Sequence, residues 1–170
     1  YEDTNDDWLG SWKLQAEYRP SDDAMFYFGY NRGTKAGNWN APFGGFPSPT
    51  DPFIPYGEER LDSFELGTKL TLMDNRAQVN AAVFYYDYKD FQSFAFLNFA
   101  NITTNLDSDA IGAEFDIRVV PTDAWDLRLG ATYIDFTVED ATISNALGTQ
   151  VVDRNPPFTS EFTAFAVAAY

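Results

Sequence analysis

Apolar and polar residues alternate along most of this chain, and the alternation is most regular between Glu59 and Gln92. Successive side chains of a β-strand point to opposite faces of the sheet, so a period of two residues predicts a strand with one apolar and one polar face. The pattern stops at Met73–Arg76 and then resumes, which predicts a turn between two antiparallel strands. The first of these strands, from Glu59 to Met73, places large apolar side chains at alternate positions: Phe64, Leu66, Leu70 and Leu72.

The same alternation recurs along the rest of the chain, separated in turn by short turns and long connections. The short turns are "PSDD", "MDNR" and "PTDA", which are rich in residues that favour turns. The long connections are residues 34–57, 94–109 and 137–157, and the last alternating segment begins near Phe158. The sequence therefore predicts an all-β fold, an antiparallel up-and-down meander of about seven long strands. Its short turns all lie at one end of the sheet and its long connections at the other.

Composition removes several classes of function. The 170 residues include no Cys and no His, which excludes disulfide frameworks, thiol nucleophiles and histidine bases. A formal net charge of -15 argues against nucleic acid as a partner, because phosphates are bound by basic surfaces. The adjacent acids Glu58 and Glu59 point to opposite faces of a strand, so they do not form a catalytic pair. We expect no enzyme activity, no cofactor and no metal site.

Two architectures fit a meander of two-faced strands. A soluble sandwich buries its apolar faces, whereas an outer-membrane barrel turns them outward to lipid. A strand from Glu59 to Met73 would be about 50 Å long, against a diameter of about 40 Å for a compact domain of this length. Aromatic residues near the strand ends, such as Tyr85 and Trp125, are typical of a membrane interface. Length and aromatic placement favour the membrane barrel.

Several segments resemble the barrel of TonB-dependent outer-membrane receptors. "YRPSDDAMFYFGYNRGTKAGNWN" resembles one hairpin of that family, and "YGEERLDSFELGTKLTLMDNRAQVNAAVFYYDYKDFQ" is similar to another, with its "SxExGxK" and "FYYDY" patterns. "AIGAEFDIRVVPTDAWDLRLGATYID" and "NPPF" follow in the family's order. The resemblance implies a segment of a transmembrane β-barrel of roughly 22 strands closed around a plug. Residues 1–170 would then be a partial barrel domain, with the plug and the remaining strands absent.

The resemblance also implies a function and partners. It implies an active-transport receptor in the outer membrane of a Gram-negative bacterium, taking up a large scarce solute with energy from the TonB system. The solute would be a ferric siderophore, haem, cobalamin or a glycan, that is, a small molecule or an oligosaccharide. Further partners would be outer-membrane lipid, the receptor's own N-terminal plug domain and, through that plug, the TonB inner-membrane complex. Two alternatives stay open, a passive or structural outer-membrane barrel and a soluble carbohydrate-binding β-sandwich.

Candidate site residues fall into three groups. Aromatic residues of the first long connection would contact solute by stacking: Trp39, Phe43, Phe46, Phe53 and Tyr56. Polar-face residues would point to the lumen and the plug: Glu65, Lys69, Asn80, Phe84, Glu114 and Arg118. Apolar-face residues would point to lipid: Phe64, Leu66, Leu70, Val83, Phe115 and Ile117. Acids near the strand ends are expected to be solvated or to cap turns rather than to bind a cation: Asp87, Asp90, Asp107 and Asp109.

Overall fold

A computed structural model describes residues 8–40, 55–97, 100–145 and 148–170. Its strands are β1 (Trp12–Ser21), β2 (Ala24–Lys35), β3 (Asn38–Trp39), β4 (Pro55–Tyr56), β5 (Glu59–Leu72), β6 (Ala77–Leu97), β7 (Ala100–Val119), β8 (Asp126–Asn145), β9 (Gly148–Arg154) and β10 (Phe162–Ala169). In the part of the chain that is described, no helix is long and apolar enough to cross a membrane.

The long strands form one antiparallel sheet in which each strand pairs with the next long strand along the chain. Its order is β1-β2-β5-β6-β7-β8-β10, with β9 paired to the far part of β8, while β3 and β4 form a separate small ladder. The predicted meander of about seven long strands is therefore confirmed. All three predicted short turns join neighbouring strands; in one, Arg76 N donates to Met73 O at 3.0 Å, and Met73, Asp74 and Asn75 all have positive φ.

Two of the predicted long connections are instead largely strand. β6 continues to Leu97, β7 starts at Ala100, and β8 continues to Asn145. Residues 94–97 and 100–106 alternate poorly, yet they are rich in aromatic and β-branched residues and contain neither Pro nor Gly, so they pair well. A bulge between Tyr88 and Phe91 also shifts the register, so the alternation of apolar and polar residues is interrupted there and does not predict a continuous strand.

The last strand also begins later than expected. β10 starts at Phe162, whereas Phe158 is fully exposed and has a φ of 63°. Two prolines precede Phe158 and keep the chain out of the ladder, because proline has no N–H to donate. The break separates β9 from β10, so β8 pairs with β9 along its far part and with β10 along its near part.

Candidate functional site

The sheet has two unlike faces, which the strand registers identify residue by residue. Directly opposite residues share a face, and all six residues predicted to face lipid lie on one face, through pairs such as Phe64 with Tyr85 and Leu66 with Val83. The six residues predicted to face the lumen lie on the other, through pairs such as Glu65 with Phe84. We call these the apolar face and the charged face.

The apolar face carries a continuous band of hydrophobic side chains. The band comprises the apolar-face residues of segments 64–72, 77–85, 111–119 and 127–133, and we call it the apolar belt. Many of its large side chains are solvent-exposed in this chain, with 57% exposure for Leu66 and 53% for Val83. Thr68, which lies in the belt, donates its hydroxyl to Met25 O at 3.1 Å, so this polar group is satisfied. Three of the four belt segments, residues 64–72, 77–85 and 111–119, match the ~9–11 residues that a membrane β-strand needs.

Aromatic rings border the apolar belt at both ends. At the end nearer the long connections, Tyr30 and Phe64 stack with ring centroids 4.9 Å apart, and Tyr85 pairs with Phe64 across the ladder. At the short-turn end, the rings of Trp125 and Tyr170 lie with their centroids 5.1 Å apart. Such aromatic girdles flank the lipid-facing band of outer-membrane barrels.

A charged cluster lies just beyond the belt on the apolar face. Asp62 accepts two hydrogen bonds from Arg32, both at 2.7 Å, and one from the Tyr30 hydroxyl at 2.7 Å. Arg60 Nε lies 3.3 Å from Asp62 Oδ2, and the Arg32 guanidinium lies over the Trp12 ring at 4.6 Å. The Arg32 hydrogen bonds lower the pKa of Asp62, although its burial opposes this shift.

The charged face contains three places where an aromatic ring covers a glycine of the neighbouring strand. Tyr27 covers Gly67, Phe84 covers Gly112 and Phe165 covers Gly130, and in each pair the two residues are direct cross-strand partners. A side chain at any of these glycines would collide with the ring. Because these glycines have no side chain, the large rings can lie flat against the sheet. We call Gly67, Gly112 and Gly130 the glycine seats.

Between two of these rings the charged face forms a trough of about 490 Å³, lined by Tyr27, Lys69, Asn80, Glu114, Thr132 and Phe165 among others. Among the described residues, Glu65, Lys69 and Glu114 form no ion pair within the chain. Arg118 differs, because its guanidinium contacts Asp126 at 2.7 Å. The trough therefore carries charges of both signs that make no ion pair among the described residues, whereas Arg118 shares the single carboxylate of Asp126 with Arg128.

A column of aromatic rings continues along the charged face from Phe84 towards the long connections. The rings of Phe84 and Tyr86 stack with centroids 4.8 Å apart. The centroid of the Tyr88 ring lies 5.3 Å from that of Phe91 and 5.7 Å from that of Phe136. We call these five residues the aromatic column. Burial raises the pKa of Tyr88, so its phenol stays protonated at neutral pH and does not supply a phenolate. Only Phe84 was predicted as a site residue; the repeated aromatics of "FYYDY" were the available signal for Tyr86 and Tyr88.

The structure describes two of the five aromatic residues predicted to contact solute. Trp39 pairs with Pro55 and Tyr56 pairs with Asn38 in the β3–β4 ladder, and both side chains are half-buried. Phe43, Phe46 and Phe53 lie outside the described residues.

Comparison with known proteins agrees with this geometry. The family model for the TonB dependent receptor-like β-barrel matches residues 1–170. Similar solved structures include the ferric yersiniabactin uptake receptor FyuA from Yersinia pestis, at 22% identity and a TM-score of 0.67 over 92% of this chain and 22% of that one. The siderophore receptor PiuA from Acinetobacter baumannii is 17% identical, with a TM-score of 0.67 over 94% and 23% of the two chains. The copper transporter OprC is 18% identical, with a TM-score of 0.56 over 74% and 20%.

The chain thus spans about a fifth of the length of these solved relatives. Its meander of long antiparallel strands matches a fragment of their barrels. The strands of outer-membrane barrels alternate between an apolar outer face and a polar inner face. The apolar and charged faces of this sheet show the same alternation. The chain belongs to the TonB-dependent receptor β-barrel family of the Gram-negative outer membrane.

Proposed function

We propose that this chain is part of the wall of an active-transport receptor that takes up a ferric siderophore with energy from the TonB system. The family is one of transporters rather than enzymes. The observation that carries the choice of solute is the aromatic column, a run of flat rings on the charged face. Rings stack on the catecholate or phenolate groups of an aromatic siderophore.

Of the three solved structures named above, one is a ferric yersiniabactin uptake receptor, one is a siderophore receptor and one is a copper transporter. Copper is bound mainly by His, Cys and Met side chains. This chain has no His, no Cys and two Met. Its residues therefore favour a ring-bearing iron chelate over copper.

In the proposed receptor the apolar face contacts lipid and the charged face lines the lumen. A lumenal position suits Glu65 and Glu114, because buried carboxylates without a counterion would be costly against hydrocarbon. The same face would contact the receptor's plug domain, whose basic side chains would neutralise these two glutamates. Plug displacement driven by the TonB complex would then open the path for the solute.

Adjacent tyrosines on β6 provide a matched test. Tyr86 lies on the charged face in the aromatic column, whereas Tyr85 lies on the apolar face at the border of the belt. Loss of one stacking ring should weaken binding by about 1 kcal/mol, or roughly fivefold. We expect Tyr86→Leu to lower the affinity of the full-length receptor for a ferric tris-catecholate siderophore, measured by tryptophan-fluorescence quenching, and Tyr85→Leu to leave it unchanged.

Transport itself is tested by iron uptake from the same chelate in cells with and without TonB. Uptake that requires both the receptor and TonB supports the proposal. No binding of any ferric siderophore by the full-length receptor, or uptake that persists without TonB, would refute it.

A further inference from the structure

β5 begins at Glu59, and beyond this level β6 stays paired with β7 but has no strand on its β5 side. Both ends of the preceding connection lie against this part of the β6–β7 hairpin. The connection leaves β2 through residues 36–40 and returns through residues 55–58, which we call the two stems. The stems approach each other closely: a Cβ on Gly37 would lie 2.5 Å from Tyr56 O. Trp39 belongs to one stem and Tyr56 to the other, so whatever holds the stems also holds these two rings.

Two amide side chains from the β6–β7 hairpin hold both stems. Gln92 Nε2 donates to Ala36 O at 2.8 Å on one stem and to Gly57 O at 3.1 Å on the other. Asn105 Oδ1 accepts from Gly57 N at 2.6 Å, and Asn105 Nδ2 donates to Gly57 O at 3.2 Å. We call Gln92 and Asn105 the amide clamp.

The bulge in β6 places the clamp. Asp90 adopts a φ of 55° inside the bulge, and its N–H donates to Asp107 Oδ1 at 3.2 Å while its carbonyl accepts from Asn105 Nδ2 at 2.7 Å. Beyond the bulge, Gln92 and Asn105 become direct cross-strand partners. The bulge therefore brings two amides side by side at the place where the stems need donors and acceptors.

A third amide reinforces the same contact from the other side. Asn40, at the end of the first stem, accepts from Thr103 N and donates to Thr103 O, both at 2.8 Å. These are the two bonds that a neighbouring strand would make, and they are partly buried. Side-chain amides, in place of a β ladder, thus attach the stems to β6–β7. The stems thereby cover the edge of β6 that β5 leaves unpaired.

We propose that Gln92 and Asn105 are positioning residues for solute capture, because they fix Trp39 and Tyr56 against the β6–β7 hairpin. This role rests on the proposed function. The clamp residues need not touch the solute; they set the position of rings that do. A bond to each stem from one side chain, Gln92, also makes the two stems move together.

The first test needs no solute. These 170 residues contain no cysteine. In the full-length receptor with any cysteine elsewhere replaced, spin labels at Glu58→Cys and Phe94→Cys therefore report one distance between a stem and the hairpin in lipid nanodiscs. With the clamp intact, electron–electron resonance should give one narrow distance distribution. In the Gln92→Ala, Asn105→Ala double variant the distribution should be at least about twice as wide, because the second stem, which carries the label at position 58, then loses its amide bonds to β6–β7. Asn40 still attaches the first stem to Thr103 in this variant. An unchanged width would overturn the proposal.

The second test separates an effect of the clamp on solute affinity from an effect on the assembly of the receptor. Gln150 is an exposed glutamine on β9 and Gln150→Ala is the matched control. Uptake of a ferric tris-catecholate siderophore by the clamp variant should show a half-saturating concentration raised about tenfold, with an unchanged maximal rate per receptor. A lowered maximal rate with an unchanged half-saturating concentration would show a merely structural role. If the parent receptor takes up no ferric siderophore, the proposed function fails and the distance measurement alone decides the clamp.

Discussion

Arginine in place of Ala81 should destabilise the membrane-embedded receptor by about 2–4 kcal/mol. Ala81 lies on the apolar face, paired with Thr68 and Phe115, midway between Ala77 and Tyr85 at the two borders of the belt. Four residues at ~3.4 Å each, on a strand tilted by about 40°, place it about 10 Å from either border. That depth is close to the middle of the hydrocarbon, where a guanidinium is most costly.

Three further variants isolate the cause. Asn80→Arg adds the same charge one residue away on the charged face, and should change stability by less than about 0.5 kcal/mol. Tyr85→Arg places the charge on the apolar face at the border, where the cost falls to about 0–1 kcal/mol. Ala81→Leu adds bulk without charge at the middle of the belt and should be tolerated.

The assay is the free energy of unfolding of the full-length receptor in lipid vesicles, from guanidinium titration followed by tryptophan fluorescence. The expected order of destabilisation is Ala81→Arg, then Tyr85→Arg, then Asn80→Arg. If Asn80→Arg costs as much as Ala81→Arg, the assignment of the two faces is wrong. If Ala81→Leu costs as much as Ala81→Arg, the cost is steric and the depth reasoning fails.

Two further predictions concern packing and pH. Gly112→Ala should cost about 1–3 kcal/mol in the same titration, because its Cβ would meet the Phe84 ring and a backbone carbonyl, whereas Gly33→Ala, with nothing within 4 Å, should be close to neutral; equal costs would contradict the seat model. The pKa of Asp62 is lowered in the folded state by Arg32, so its ion pair stabilises the fold above the unfolded pKa of about 3.9 and loses that contribution as pH falls through the folded pKa. Stability of the parent should therefore decline more steeply below pH ~4 than that of Asp62→Asn, and parallel pH profiles would show that this ion pair contributes nothing.

The sequence was most informative where the two sides of a strand face unlike surroundings, because these impose a two-residue alternation of apolar and polar side chains. Phe64, Leu66 and Val83 alternate with Glu65 and Phe84 because one side of the strand must be apolar over a fixed length. That constraint made the strand, its turn and its two faces predictable. Beyond the belt the constraint is absent, so the strand segments at residues 91–97 and 100–109 carried no regular alternation from which a strand could be predicted.

The contacts between strands were not predictable for a different reason. Arg32 meets Asp62 only because β2 and β5 pair in a particular register across a long connection, and no local pattern states that register. Gln92 and Asn105 likewise become partners only after a bulge shifts the ladder. Register follows from the whole sheet, whereas alternation is a property of each strand.

The glycine seats have an evolutionary consequence. Gly67 and Tyr27 form one unit, since a side chain at the glycine would displace the ring, and loss of the ring would leave bare backbone facing the interior. Neither residue can change alone without harm, so selection acts on the pair. Across descendants of this gene the two positions should vary together or stay fixed together, and the pairs Gly112–Phe84 and Gly130–Phe165 should behave in the same way.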